Sequence, residues 1–213
     1  MDLFGDTAAH AGEVLDLPGA ELLFFRETRF DVTADDLFST LHDELAWREE
    51  DIVLFGRRYR QPRLLAWYGD ADASYRYSGR RYEPQPWHPA LTTLRPRIEA
   101  LAGGRFNSVL ANLYRDENDS IGLHADDEPE LGRHPVIASL SLGEERVFRL
   151  RHRTRRDISP VRIALPSGSL LVMRGATQEN WKHEVPKSRV PCGPRINLTF
   201  RLVQTIPRGA GRR

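Results

Sequence analysis

The chain has 213 residues, 40% hydrophobic and 29% charged, with a formal net charge of +1. That length fills one β-rich domain and crowds two, and the apolar content excludes wholesale disorder. No run nears the roughly 20 apolar residues of a membrane span, and a lone cysteine, Cys192, excludes an internal disulfide framework and a cysteine-based zinc site. The start, MDLFGDTAAH, is acidic and lacks a signal-peptide pattern, so a soluble, cytoplasmic protein is expected.

Residues 1–17 read as a loose lead-in, and ELLFFRETRF (21–30) as a short apolar strand and turn. Residues 33–47 read as a helix. Thr33 suits the N-cap, Asp35 and Asp36 suit the first turn, and Leu37, Phe38, Leu41 and Leu45 make one apolar face. A second helix is expected over 89–102, opened by Pro89 and ended by Gly103-Gly104, with Leu91, Leu94, Ile98 and Leu101 on its apolar face. Pro96 inside it is expected to shift or bend its start. From residue 105 the pattern changes to short strands, at 107–114, 135–142, 146–153, 161–165, 169–174 and 195–204. Short strands separated by Gly and Pro point to a sandwich or closed barrel. The expected architecture is two helices followed by a β-rich half.

Charge is spread unevenly. Residues 1–51 carry 14 acids against 3 bases, residues 187–213 carry 7 bases and no acid, and RVFRLRHRTRR (146–156) holds six arginines. All basic residues except Lys182 and Lys187 are arginine. Arginine grips phosphates in a planar fork, which suits nucleic acid. A general preference for Arg over Lys, with solvated strand faces, explains the same composition.

Three features of the β-rich half carry chemistry. The first is His124-Ala125-Asp126, where residues two apart in an extended segment share a face and reach one metal ion. With His183 of NWKHEVP as third ligand, two imidazoles and one carboxylate form the facial set of non-haem Fe(II) oxygenases. An H-x-D pair alone is a weak signal. The second is Arg195-Ile196-Asn197-Leu198-Thr199-Phe200-Arg201, which alternates strictly between polar and apolar residues. Its polar face lies either in water or inside a barrel, where the arginines need anionic partners such as a dicarboxylate. Periodicity does not choose between the two. The third is Asn112-Leu113-Tyr114, whose polar groups share a strand face and either contact the same ligand or pack in the core.

Taken in order, N-x-Y, H-x-D, a distant His and R-x-N-x-T-x-R resemble the AlkB family of Fe(II)/2-oxoglutarate dioxygenases, over roughly residues 50–203. The resemblance is closest to its duplex-DNA-repair branch and is carried by NLYRDENDSIGLHADDEPEL, PVIASLSLG, GSLLVM and PRINLTFR. It implies a mainly β fold with supporting helices (α+β) around a double-stranded β-helix, or jelly roll. It implies Fe(II), 2-oxoglutarate and O2, with iron on His124, Asp126 and His183. Asn112, Tyr114, Arg195, Asn197, Thr199 and Arg201 would surround 2-oxoglutarate. Arg201 would hold the distal carboxylate, and Arg195 would neutralise the one near the metal.

The resemblance extends to a substrate lid. YRYSG, with Tyr75, Tyr77 and Ser78, resembles the family hairpin that stacks on the target base, and Phe55-Gly56 resembles its apolar wedge. Asp127 and Glu128 match acidic residues near the base pocket. The implied layout is a lead-in at 1–20 and one domain at 21–205, with the lid at 50–88 and the jelly-roll core at 105–203. A basic tail follows at 206–213. The implied activity is oxidative demethylation of 1-methyladenine and 3-methylcytosine in DNA, releasing formaldehyde and succinate. The expected partner is alkylated DNA, single- or double-stranded, or RNA, acted on by a monomer with no membrane contact. A related oxygenase acting on RNA or protein, a non-enzymatic nucleic-acid-binding jelly roll and a zinc hydrolase are the alternatives.

Overall fold

A computed structural model describes residues 12–54, 56–73, 75–77 and 80–204. The N-terminal half forms β1 (Glu13–Leu15), β2 (Glu21–Phe25), α1 (Ala34–Glu44), β3 (Arg48–Leu54), β4 (Arg57–Gly69), β5 (Tyr75–Tyr77), β6 (Arg80–Tyr82) and α2 (Pro89–Ala102). Eight strands follow: β7 (Ser108–Tyr114), β8 (Ile121–His124), β9 (Ile137–Gly143), β10 (Arg146–His152), β11 (Val161–Leu165), β12 (Leu170–Arg174), β13 (Trp181–Val185) and β14 (Arg195–Arg201). A one-turn helix, α3 (Thr177–Asn180), leads into β13. Among the described residues, no helix is long and apolar enough to cross a membrane.

The last eight strands divide between two sheets. The large sheet runs β1-β2-β12-β9-β14-β7-β4-β3 and the small one β11-β10-β13-β8. Every pairing in both is antiparallel. Four strands in each sheet, contributed by a chain that crosses back and forth, make the jelly roll, and β1-β2 and β4-β3 widen its large sheet. The strictly alternating residues of the large sheet explain why both its faces are covered. Ala138, Leu140, Leu198 and Phe200 pack under α1 and α2. On the other face, Ile137, Leu171 and Met173 meet Phe148, Leu150 and Trp181 of the small sheet.

The helices follow their end signals. The Thr33 hydroxyl accepts from the Asp36 backbone N–H at 3.1 Å, and Leu37 and Leu41 are buried. The helix stops at Glu44 rather than Trp47 because Leu45 is already extended, at ψ 144°. In α2, Pro89 opens the first turn and Gly103 closes it in the left-handed conformation, at φ 64°. Pro96 lies inside without displacing the start.

The expected order of two helices followed by strands is corrected. Six strands precede α2, and the β3–β4 hairpin fills the space between the helices in sequence. Pro62 and an arginine-rich start disguise β4, whose second half is buried on both faces and so shows no alternation. The lead-in already holds a strand, since Glu13–Leu15 pairs with β2.

Candidate metal centre and cosubstrate cavity

β8 and β13 are neighbours, and their register sets His124 opposite His183. The two rings meet edge to face, with centroids 4.3 Å apart. Asp126 follows two residues after His124, so one strand end supplies two ligands. The ligand atoms of His124, Asp126 and His183 all lie within 4.8 Å of one another. His124 Nε2 stands 4.0 Å from one carboxylate oxygen of Asp126, and His183 Nε2 stands 3.9 Å from the other.

The surroundings prepare these groups for a cation. His124 Nδ1 donates to the Gly122 carbonyl at 2.8 Å, which leaves Nε2 as the lone-pair nitrogen. Burial pushes His124 below its ordinary pKa, against the pull of Asp126. Burial and the neighbouring His124 push His183 down to about 3. Burial opposes charge on Asp126, but the neighbouring Arg201 outweighs it and holds the carboxyl below the ordinary range. At neutral pH the site therefore presents two neutral imidazoles and an ionised carboxylate. Oδ2 of Asp126 is buried with no hydrogen-bond partner among the described residues.

β14 runs beside this centre with its polar face inward. Arg195 is 1% exposed and Arg201 6%. The question that periodicity leaves open is settled: these side chains lie within the roll, because Ile196, Leu198 and Phe200 take the helix-covered side. Asn197 donates to Ser139 Oγ at 2.8 Å and to the Leu140 carbonyl at 3.1 Å, and the Thr199 hydroxyl donates to Asn197 at 3.0 Å. Asn112 and Tyr114, on the adjacent β7, line the same cavity.

Of the two arginines, Arg201 is the one beside Asp126. Arg201 Nη2 donates to Asp126 Oδ1 at 2.8 Å, so Arg201 stands at the metal end. Arg195, at the other end of β14, donates to Ser141 Oγ at 2.8 Å and lies 5.2 Å over the Tyr114 ring. Its Nε and Nη1 are buried without partners, and no carboxylate pairs with it among the described residues. Burial pushes its pKa down to about 10, the mark of a cation lacking its anion.

The expected lid residues fall largely outside what the structure describes. Phe55 and Ser78 lie outside the described residues, and for Tyr75 and Tyr77 the structure gives a backbone strand paired with β6. Asp127 and Glu128 do not line the cavity, and exposed Asp127 pairs with Arg153. Besides Asp126, the acidic groups that do line it are Glu50 and Glu83, which nothing in their local sequence marks.

Three further residues escape a reading by motif. Arg63, buried at the start of the apolar run of β4, donates from Nε to Asn112 Oδ1 at 2.8 Å. Its signal is a charge where the neighbours are apolar. Gln178, on α3, accepts the Asp126 backbone N–H at 3.0 Å, and Phe148 stacks on His183 at 5.1 Å. Neither carries a sequence signal.

The model of the 2OG-Fe(II) oxygenase superfamily matches residues 24–201. The chain belongs to that superfamily. Within it, the chain stands among the AlkB homologues. It is 46% identical over 185 residues to the alpha-ketoglutarate-dependent dioxygenase alkB homolog 3 of Homo sapiens, covering 83% of this chain and 64% of that protein. It is 40% identical over 179 residues to the DNA oxidative demethylase ALKBH2 of Homo sapiens, covering 80% and 69%. The chain thus spans 64% of the length of the human alkB homolog 3 it matches. The solved structure of OsALKBH1 shares the fold, with a TM-score of 0.57 at 17% identity over 89% of this chain and all of that one. The superfamily's chemistry uses Fe(II), 2-oxoglutarate and O2, and the residues present fit the first two. The unpartnered Asp126 oxygen between two neutral imidazoles suits the metal, and the unpartnered Arg195 donors suit the far end of a diacid.

Proposed function

We propose that this chain is an Fe(II)- and 2-oxoglutarate-dependent demethylase of N-alkylated bases in nucleic acid. One observation carries the reading: a His-Asp-His cluster and a buried arginine without an anion share one cavity. The relatives, named as an alkB homolog dioxygenase and a DNA oxidative demethylase, support it.

His124, Asp126 and His183 would hold the metal. Arg195 and Tyr114 would take the distal carboxylate of 2-oxoglutarate in a charge-assisted grip. Arg201 would neutralise the carboxylate nearer the metal while keeping its contact with Asp126. Asn112, held by Arg63, would border the cosubstrate together with Asn197 and Thr199. When bound, the metal and 2-oxoglutarate turn O2 into an oxidant that hydroxylates a methyl group, leaving succinate and carbon dioxide. A hydroxymethyl group on a ring nitrogen then breaks down to formaldehyde and the restored base.

A base in a duplex must leave the stack to reach this cavity. Methyl groups on the pairing edge, as in 1-methyladenine and 3-methylcytosine, weaken pairing and lower that cost. Such bases carry positive charge, which Glu50 and Glu83 at the cavity wall would attract. The lid with Phe55, Tyr75, Tyr77 and Ser78 would stack on the base and fill the gap it leaves, and the cytoplasm is the proposed location.

Formaldehyde and succinate release from DNA carrying either lesion, in single and double strands and beside a matched RNA, tests the reading. Equal release of both products, dependent on Fe(II), is expected. Succinate formed without any loss of the methyl group would overturn it. Phe55→Ala is expected to lower repair of duplex more than of single strands; equal losses on both would remove the wedge.

A further inference from the structure

Charged arginines on this protein's surface are commonly matched. Arg60 pairs with Glu49 at 2.7 Å, Arg97 with Asp31 at 2.5 Å and Arg133 with Glu179 at 2.9 Å. The outer face of the small sheet breaks that habit. In β10, Phe148 and Leu150 turn into the roll, so Arg149 and Arg151 fall on the opposite face. The register sets Arg149 opposite Arg162 on one side and Glu184 on the other, and Arg151 opposite Lys182. Glu184 is taken up by Arg149, at 2.5 Å. Arg151, Arg162 and Lys182 have no acidic partner among the described residues.

Like charges directly opposite on neighbouring strands destabilise a sheet. Here Arg151 faces Lys182 with no acid beside them, and about 7 Å along β10 Arg149 and Arg162 have one carboxylate, Glu184, on Arg149 alone. The pattern is unfavourable for the isolated chain and favourable with a polyanion laid across it. Among the described residues the outward side chains of β10, β11 and β13 include no aromatic group, and the exposed Leu123 lies on the edge strand β8, which favours a phosphate backbone over an acidic protein. Its position also fits. Lys182 and Glu184 flank His183 along β13, so the basic face and a metal ligand are opposite sides of one strand. β8, the edge strand of this sheet, carries His124 at the cavity.

We propose that Arg151, Arg162 and Lys182 on the outer face of the small sheet bind the phosphate backbone of the nucleic acid whose base enters the cavity. The proposal rests on the nucleic-acid reading above, and its test separates the two. Anisotropy of a labelled, unmodified 20-nucleotide DNA, single-stranded and as duplex, measures binding by the full chain across a salt series. Arg151→Gln/Lys182→Gln and Arg162→Gln are compared with Arg97→Gln, which lies outside the face.

The double variant is expected to bind duplex about fivefold or more weakly at 0.1 M salt. Its plot of log affinity against log salt should be shallower by about 1.8, at roughly 0.9 per lost phosphate contact. Formaldehyde release from a methylated trinucleotide, too short to reach the face, should keep its native kcat and KM. The melting temperature should hold or rise, since repulsion is removed. Unchanged affinity and salt slope in both variants overturn the proposal. So does a loss confined to polyglutamate, offered as a competitor, because an acidic protein is then the occupant. If the native chain releases no formaldehyde from any methylated substrate, the demethylase reading falls, and the salt slopes still decide the face.

Discussion

Asp126 is the residue on which most of the site converges. Two imidazoles and Arg201 surround its carboxylate, and Gln178 holds its backbone N–H. This predicts a division between the two arginines. Arg195→Gln should raise the 2-oxoglutarate concentration for half-saturation about 10- to 100-fold, the equivalent of ~1.5–3 kcal/mol for a hydrogen bond to a charged group. It should leave Fe(II) affinity intact, whereas Arg201→Gln should weaken both. Titration of each ligand against the other checks this, and a normal cosubstrate requirement in Arg195→Gln would show that the diacid lies elsewhere. Gln178→Ala should weaken metal binding about tenfold, as loss of an outer support typically does, measured by Co(II) titration with little change in melting temperature.

The histidines also set an acid limit. In the unfolded chain His183 protonates near 6.5, and in the folded chain not until about 3. Between those values the unfolded state binds more protons, so stability falls as pH falls. Asp126, held below its ordinary pKa, adds to the same trend at lower pH. The melting temperature of the metal-free chain should therefore drop on acidification from pH 7 to 4, and less so in His183→Gln. A flat profile in the native chain would falsify the assignment.

At the scale of elements, the strength of local signals decides what is legible. Both bounds of α2 can be read, because Pro89 and Gly103 each act through the backbone itself. The start of α1 is legible for the same reason, and Thr33→Ala should cost about 1 kcal/mol in chemical denaturation. β13 alternates Trp181, His183 and Val185 inward, but five residues are too few to stand out. β4 is hidden because burial on both faces erases the period. In β14 the alternation is clear, yet both halves of it are buried. Leu198→Ala should cost about 2–5 kcal/mol from the core beneath the helices. Thr199→Ala, on the other face, should act mainly on cosubstrate binding. Equal losses of stability in the two variants would mean the faces are not divided this way.

At the scale of the molecule, the uneven charge along the chain is partly offset by folding. Acids of the N-terminal stretch meet bases from further on: Asp31 with Arg97, Glu44 with His88, Glu49 with Arg60. These exposed pairs contribute little stability each. What they do is remove charge that composition suggests is available to a partner. The arginine run of 146–156 is divided in the same way. Arg146 is buried on the carbonyls of Asp116, Asp119 and Pro186, and Arg149, Arg153 and Arg155 have carboxylate partners. Arg156 and, on the outer face, Arg151 are left, and only register shows that Lys182 is beside Arg151.

The amino-acid order alone determined the start of α1, both ends of α2, the strand alternation and the H-x-D pair as a candidate for metal, because caps, periodicity and side-chain chemistry act over a few positions. It equally determined that a strand with arginine at both ends must either face water or enclose an anion. Tertiary structure decided which: covering the large sheet on both sides left the polar face of β14 no exit to solvent. It also decided which arginine stands near Asp126, which acids border the cavity and which cations go unmatched. Those are distances between residues far apart in the chain, and they exist only once two sheets have closed on each other.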